Sequence, residues 1–239
     1  MEKLHVLCLH GYHGSAELLR GQMTPLADGL DDVVEFAYVD APSLAAGDFG
    51  WWHATAVEST ADERGAGVGL GIKRYEGWHR TRDAIVSAFV RQGPFDGVFG
   101  FSQGAALAAL LVGLRSGDGF VGSESAGPTG GILGQAESLS FDFAVMVGGF
   151  VSADDDLAKL YGRRACYDLP SAHIIGRSDS VVPSGTSIAL ASKFRNPLIL
   201  EHDGGHVISN APHIRRGFRA FLEEIRRLER VHRIERSRT

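Results

Sequence analysis

The stretch Val98-Phe99-Gly100-Phe101-Ser102-Gln103-Gly104-Ala105-Ala106 decides how the chain folds. It holds the pattern G-x-S-x-G between an apolar run and a set of small helix formers. Residues 96–101 read as a short buried strand. From Gln103, Leu107, Leu110, Leu111 and Leu114 recur at helical spacing, which predicts a helix to Leu114. Ser102 therefore falls on the sharp turn between strand and helix. A serine hydroxyl is a poor nucleophile and must be open to both a base and a carbonyl carbon, and such a turn exposes it. Gly100 and Gly104 leave the room the turn needs. The helix that follows aims its free N–H groups at the place where negative charge would develop.

Working outward, the chain alternates strands and helices. Leu4-His5-Val6-Leu7-Cys8-Leu9 is nearly continuous apolar sequence, as expected of a parallel strand covered on both faces. It runs into His10-Gly11-Tyr12-His13-Gly14-Ser15, and Ser15 can cap a helix from about Ala16 to Leu30. Further strands are predicted over 33–39, 141–147, 171–176 and 197–201. Helices are predicted over 75–91, 184–194 and 211–236. The last has Ile214, Phe218, Phe221, Leu222, Ile225, Leu228 and Val231 on one face. This order predicts an α/β fold: one doubly wound, mostly parallel sheet with helices on both faces. The 239 residues suit one such domain over 1–239, with lid or loop insertions near 43–74 and 116–140.

Composition excludes several classes. The net charge is −5, and the arginines of the final helix are interspersed with glutamates, so a nucleic-acid surface is not expected. No apolar run is long enough to span a bilayer. The first residues enter a strand directly and do not resemble a leader, so a cytoplasmic enzyme is expected. Two cysteines, Cys8 and Cys166, cannot build a disulfide framework or a cysteine-rich zinc site. The glycines of 61–73 form G-x-G-x-G, but not after the first strand and not at dinucleotide-binding spacing, so that segment reads as a loop. Neither a metal nor an organic cofactor is implied. Asp154-Asp155-Asp156 reads as a solvated helix start.

An activated serine needs a base and an anion to orient that base. In sheets of this kind the order along the chain is nucleophile, acid, histidine. Ser102, Asp179 and His206 satisfy that order, and each follows a predicted strand. His202 is a rival base, but Gly204-Gly205 lets the loop carry His206 over the site. Asp203 and Asp154 to Asp156 are rival acids. Asp179 is favoured because Val181-Val182-Pro183 can fix the course of its loop. Backbone N–H groups of Tyr12 and Gln103 are the candidate oxyanion donors. Trp51, Trp52 and Phe150 are the candidate substrate-binding residues. The two tryptophans either line an apolar pocket or pack beneath a lid.

The motifs that carry a family likeness are Leu7 to Tyr12, Trp51-Trp52, Gly97 to Ala106, Gly149-Phe150, Gly176 to Pro183 and Gly204-Gly205-His206. In these the chain resembles the FSH-type serine hydrolases of the α/β-hydrolase superfamily. The piece Phe101-Ser102-Gln103-Gly104 is also similar to acyl-protein thioesterases and small carboxylesterases. The resemblance implies Ser102 as nucleophile, His206 as base and Asp179 as its partner. It also implies hydrolysis of carboxylic esters or thioesters of small acyl compounds. Some members of that family release polyketide chains from carrier proteins, so an acyl carrier protein is a candidate partner. The alternatives are a thioesterase or acyltransferase for carrier-bound or coenzyme A-bound chains, and a hydrolase fold kept only for binding. Loss of a triad residue would mark the last, and all three are present.

Overall fold

The computed structural model describes residues 3–42, 50–56, 73–115, 139–162 and 166–236. Six strands form one sheet in the order β2-β1-β5-β6-β7-β8, every neighbouring pair parallel. They are β1 (Leu4–Leu9), β2 (Val34–Val39), β5 (Gly97–Phe101), β6 (Phe143–Val147), β7 (Ser171–Gly176) and β8 (Leu198–His202). A separate antiparallel pair, β3 (His53–Ala56) and β4 (Lys73–Glu76), stands outside that sheet.

The strand side chains alternate between two helical layers. Leu4, Val6 and Cys8 of β1, Phe99 of β5, and Phe143, Val145 and Val147 of β6 face one of them. That layer is α1 (Ala16–Ala27) and α6 (Pro212–Arg236), which bury Leu19, Met23 and Leu26, and Ile214, Phe218, Leu222 and Ile225. Leu7, Leu9, Val98, Ala144 and Met146 face the opposite layer. There α3 (Gln103–Arg115) lies against the sheet almost wholly buried, beside α2 (Trp78–Gln92), α4 (Asp155–Gly162) and α5 (Ser184–Ala191). Continuous apolar strands are the consequence of helices on both faces.

The chain adds β2 on one side of β1 and then crosses to place β5 on the other. The winding therefore reverses between β1 and β5. Loops leaving the carboxyl ends of those two strands diverge there and open a crevice, which is where open α/β sheets hold ligands. Tyr12 follows β1 and Ser102 follows β5, so both border it.

Two local readings are corrected. The helix expected over 75–91 starts at Trp78, because Lys73–Glu76 is a strand paired with His53–Ala56 and Gly77, with φ of 87°, turns the chain between them. The first helix ends at Ala27, not near Leu30. The expected insertions near 43–74 and 116–140 fall largely on residues outside those described, as does most of the glycine-rich 61–73 segment. Among the described residues no helix is long and apolar enough to cross a membrane.

Candidate active site

Ser102 has φ of 55°, a left-handed conformation that non-glycine residues seldom adopt. The turn holds it there from both sides. Its N–H donates to the carbonyl of Val147 at 2.8 Å, and its own carbonyl accepts from Ala105 and Ala106 in the first turn of α3. The flanking glycines are obligatory. A Cβ on Gly100 would stand 2.2 Å from the Gly104 carbonyl oxygen, and one on Gly104 would stand 2.1 Å from that of Leu9. The helix and strand approach too closely for any side chain.

The loops after β7 and β8 are tied together before they reach Ser102. Arg177 N–H donates to the His202 carbonyl and Ser178 N–H to that of Gly204. This brings His206 between Asp179 and Ser102: Nδ1 lies 2.6 Å from Asp179 Oδ2, and Nε2 lies 2.8 Å from Ser102 Oγ. The Phe101 ring covers the imidazole at 4.9 Å between centroids.

The side chain of Asp179 is 2% exposed. Burial pushes its carboxyl up, but hydrogen bonds from His206 and from the N–H groups of Val182 and Val181 outweigh it, and the net shift is downward. Asp179 is thus an ionised carboxylate, which can only accept. The proton of His206 therefore sits on Nδ1, and the Nε2 lone pair faces the Ser102 hydroxyl. That arrangement can take a proton from Ser102.

Among the described residues, nothing accepts the backbone N–H of Tyr12 or of Gln103. Both residues line the same cleft as Ser102, Gln103 at the start of α3. The Gln103 side chain is fully engaged elsewhere. Its Oε1 accepts from Trp51 N–H at 2.8 Å and its Nε2 donates to the Trp52 carbonyl at 2.9 Å.

Both tryptophans are buried in one core cluster, but only Trp52 lines the cleft of Ser102. Trp51 is 1% exposed and belongs to the core, with Nε1 donating to the His10 carbonyl at 2.8 Å. It is not a wall of the cleft, which corrects its reading as a substrate-binding residue. Trp52 does face the cleft, an opening of about 580 Å³ whose lining includes Tyr12, Ser102, Gln103 and Phe150. That size suits a small molecule. Tyr75, Ala54 and Val181 also line it. The spacing of the sequence singled out none of these as pocket residues.

The rivals lie elsewhere. His202 ends β8, and its Nδ1 accepts from Gly204 N–H. Asp203 is exposed and pairs with Arg177. Asp154 is not a solvated residue, as expected of the triplet, but a buried one. Its Oδ1 caps α4 through the N–H groups of Asp156 and Leu157, and its Oδ2 accepts from Tyr75 N–H. Cys8 is fully buried, and burial pushes its thiol well up, away from the reactive thiolate. Among the described residues no cluster of three or more histidine, cysteine or acidic side chains is arranged to hold a metal.

A sequence model of the serine hydrolase (FSH1) family matches residues 1–217. The chain belongs to that family. Esterase OVCA2 of Xenopus tropicalis is 31% identical over 238 residues, covering 92% of this chain and 93% of the relative. Esterase CG5412 of Drosophila melanogaster is 27% identical, covering 93% and 75%. The fold is similar to that of Zea mays acyl-protein thioesterase 2, with a TM-score of 0.57 at 17% identity over 93% of this chain and 95% of the other. This FSH1-family protein is thus a serine hydrolase by family, with an α/β-hydrolase-like fold.

Proposed function

We propose that the protein is an esterase acting on carboxylic esters or thioesters of small acyl compounds through an acyl-enzyme on Ser102. One observation carries this reading: the unbroken hydrogen-bond chain from Asp179 through His206 to Ser102 Oγ, at the mouth of a cleft of about 580 Å³. His206 Nε2 takes the hydroxyl proton as Ser102 Oγ attacks the carbonyl carbon. The N–H groups of Tyr12 and Gln103 hold the oxyanion of the tetrahedral intermediate. His206 then hands the proton to the leaving oxygen or sulfur, and the acyl group stays on Ser102. A water, deprotonated by His206, releases the acid. Asp179 keeps the imidazole in the required tautomer and stabilises the imidazolium.

The test is a panel of acyl esters with matched thioesters, free and carrier-bound, run on wild type and Ser102→Ala. Substitution of Ser102 is expected to reduce kcat by about three orders of magnitude or more. Turnover by Ser102→Ala within tenfold of wild type would reject the assignment. Preference for the carrier-bound thioester over its free counterpart would assign an acyl carrier protein as partner.

A further inference from the structure

The cleft has a wall that the triad does not account for. Trp52 and Tyr75 stack face to face, 4.6 Å between centroids and 9° between planes, and Trp78 backs Trp52 at 6.3 Å. Trp52 and Tyr75 line the cleft, and so does Ala54, which pairs with Tyr75 across β3 and β4. Directly paired residues share one face of an antiparallel pair. Ala54 therefore opens a gap beside the Tyr75 ring.

This pair of strands is hydrogen-bonded to no strand of the main sheet, so something else must hold Tyr75 in place. Two bonds do. Tyr75 N–H donates to Asp154 Oδ2 at 2.8 Å, and the Tyr75 hydroxyl accepts from Ala153 N–H at 2.9 Å. Asp154 is itself fixed by capping α4. The carboxylate serves two elements at once.

The geometry of acyl transfer decides what meets this wall. The leaving group must lie at His206 Nε2 to receive its proton, on the side of the loop that carries Asp179 and Val181. The oxyanion must lie at Tyr12 and Gln103. The rest of the cleft is lined by Trp52, Ala54, Tyr75, Phe150 and Val151, from segments that carry no triad residue, and is left for the acyl chain. We propose that Tyr75 limits the length of acyl chain the enzyme accepts, and that Asp154 is the positioning residue that latches it into the cleft. The proposal rests on Ser102 as the nucleophile.

Each methylene taken out of water is worth roughly a fourfold gain in kcat/KM. In wild type, kcat/KM should climb with chain length until the acyl end reaches Tyr75, and then stop climbing. Measured on one ester series from acetyl to hexadecanoyl, Tyr75→Ala should raise the long-to-short ratio of kcat/KM at least tenfold. Ala54→Phe, at an exposed position, fills the gap and should lower that ratio at least tenfold. Tyr75→Phe keeps the ring but gives up the bond from Ala153 N–H, and should shift the profile in the direction of Tyr75→Ala by a smaller factor. Asp154→Asn puts an amide N–H against one of the N–H groups that Asp154 now receives, and should shift the profile in the direction of Tyr75→Ala. A cap with no part in selectivity would lower the melting temperature alone.

The proposal falls if Tyr75→Ala and Ala54→Phe scale every chain length by one common factor while a fluorophosphonate still labels Ser102. If Tyr75→Ala does not fold, an unmoved profile in Ala54→Phe decides against it by itself. Failure of the fluorophosphonate to label Ser102 in folded wild type would instead overturn the nucleophile, a separate result.

Discussion

The side chain of Gln103 accepts the backbone N–H of Trp51 at 2.8 Å, joining the residue after Ser102 to a loop 52 positions earlier. Its amide also donates to the Trp52 carbonyl. Gln103 is 7% exposed, so neither bond can be replaced by water without rearrangement. Gln103→Ala should leave a donor and an acceptor buried and unmatched, a loss of about 2–4 kcal/mol. The consequence extends to the cleft. Gly50, next to Trp51, lies so near the Tyr12 ring that a Cβ there would stand 2.7 Å from Cδ2. Loosening the Trp51 loop therefore loosens Tyr12. Urea denaturation checks the first part, and a destabilisation under about 0.5 kcal/mol would contradict it.

Ser102 is expected to sit in strain that only function justifies. Its φ of 55° costs an L-residue roughly 1–2 kcal/mol relative to glycine. Ser102→Ala and Ser102→Gly both remove the hydroxyl, but only glycine relieves the backbone. The glycine variant also gives up about 0.5–1 kcal/mol of unfolded-state entropy. Ser102→Gly should still be the more stable of the two by a few tenths to about 1 kcal/mol, and both should be inactive. Equal or reversed melting temperatures would mean that the turn holds no such strain.

Asp179 should make stability depend on pH with a definite sign. Its carboxyl is held below the ordinary 3.8 in the folded protein. The stabilisation is therefore complete above the unfolded value. As pH falls, the unfolded chain takes up the proton first, and the advantage is lost by the time pH passes below the folded-state value. Asp179→Asn cannot titrate there, so the stability gap between it and wild type should be open at neutral pH and narrow below about pH 4. The substitution should also lower kcat by about four orders of magnitude. The asparagine N–H would donate to His206 Nδ1 and force the proton onto Nε2, which could then no longer accept from Ser102. A stability gap that is unchanged between neutral pH and pH 3 would remove the ionised Asp179 from this account.

Much of this was legible because burial on both faces leaves a plain mark. The four inner parallel strands are buried apolar runs, all six strands end at one edge of the sheet, and Ser102, Asp179 and His206 stand in loops there. What could not be read has physical reasons. His53–Ala56 and Lys73–Glu76 have no apolar run, since they pair with each other outside the main sheet, so Tyr75 passed for the start of a helix. Trp51 and Trp52 are identical residues buried in one core cluster, yet only Trp52 also lines the cleft that holds Ser102. Asp154, Asp155 and Asp156 are equivalent in sequence. Only the fold brings the N–H groups of Tyr75, Asp156 and Leu157 to Asp154.

Gly148 tests whether the imidazole tolerates displacement. It follows β6 with φ of 57°, and a Cβ there would stand 3.0 Å from Cε1 and 3.2 Å from Nδ1 of His206. Nδ1 makes the bond to Asp179, and Cε1 adjoins it in the ring. Gly148→Ala therefore acts twice. The backbone strain should cost about 1–2 kcal/mol, a change the fold can absorb. The methyl group should push the ring away from the alignment that places Nε2 2.8 Å from Ser102 Oγ. The ring needs to give by only a few tenths of an ångström, a fraction of the ~1 Å misplacement that costs on the order of a hundredfold in rate. The variant should thus remain folded, with a melting temperature lowered by several degrees, while fluorophosphonate labelling of Ser102 slows by up to about one order of magnitude. Adding Gly148→Ala to Asp179→Asn should slow labelling much less than it does in wild type, because the ring has already lost the partner that fixes it. Fully independent effects of the two substitutions would show that Gly148 matters only for the backbone and that the imidazole has room to spare.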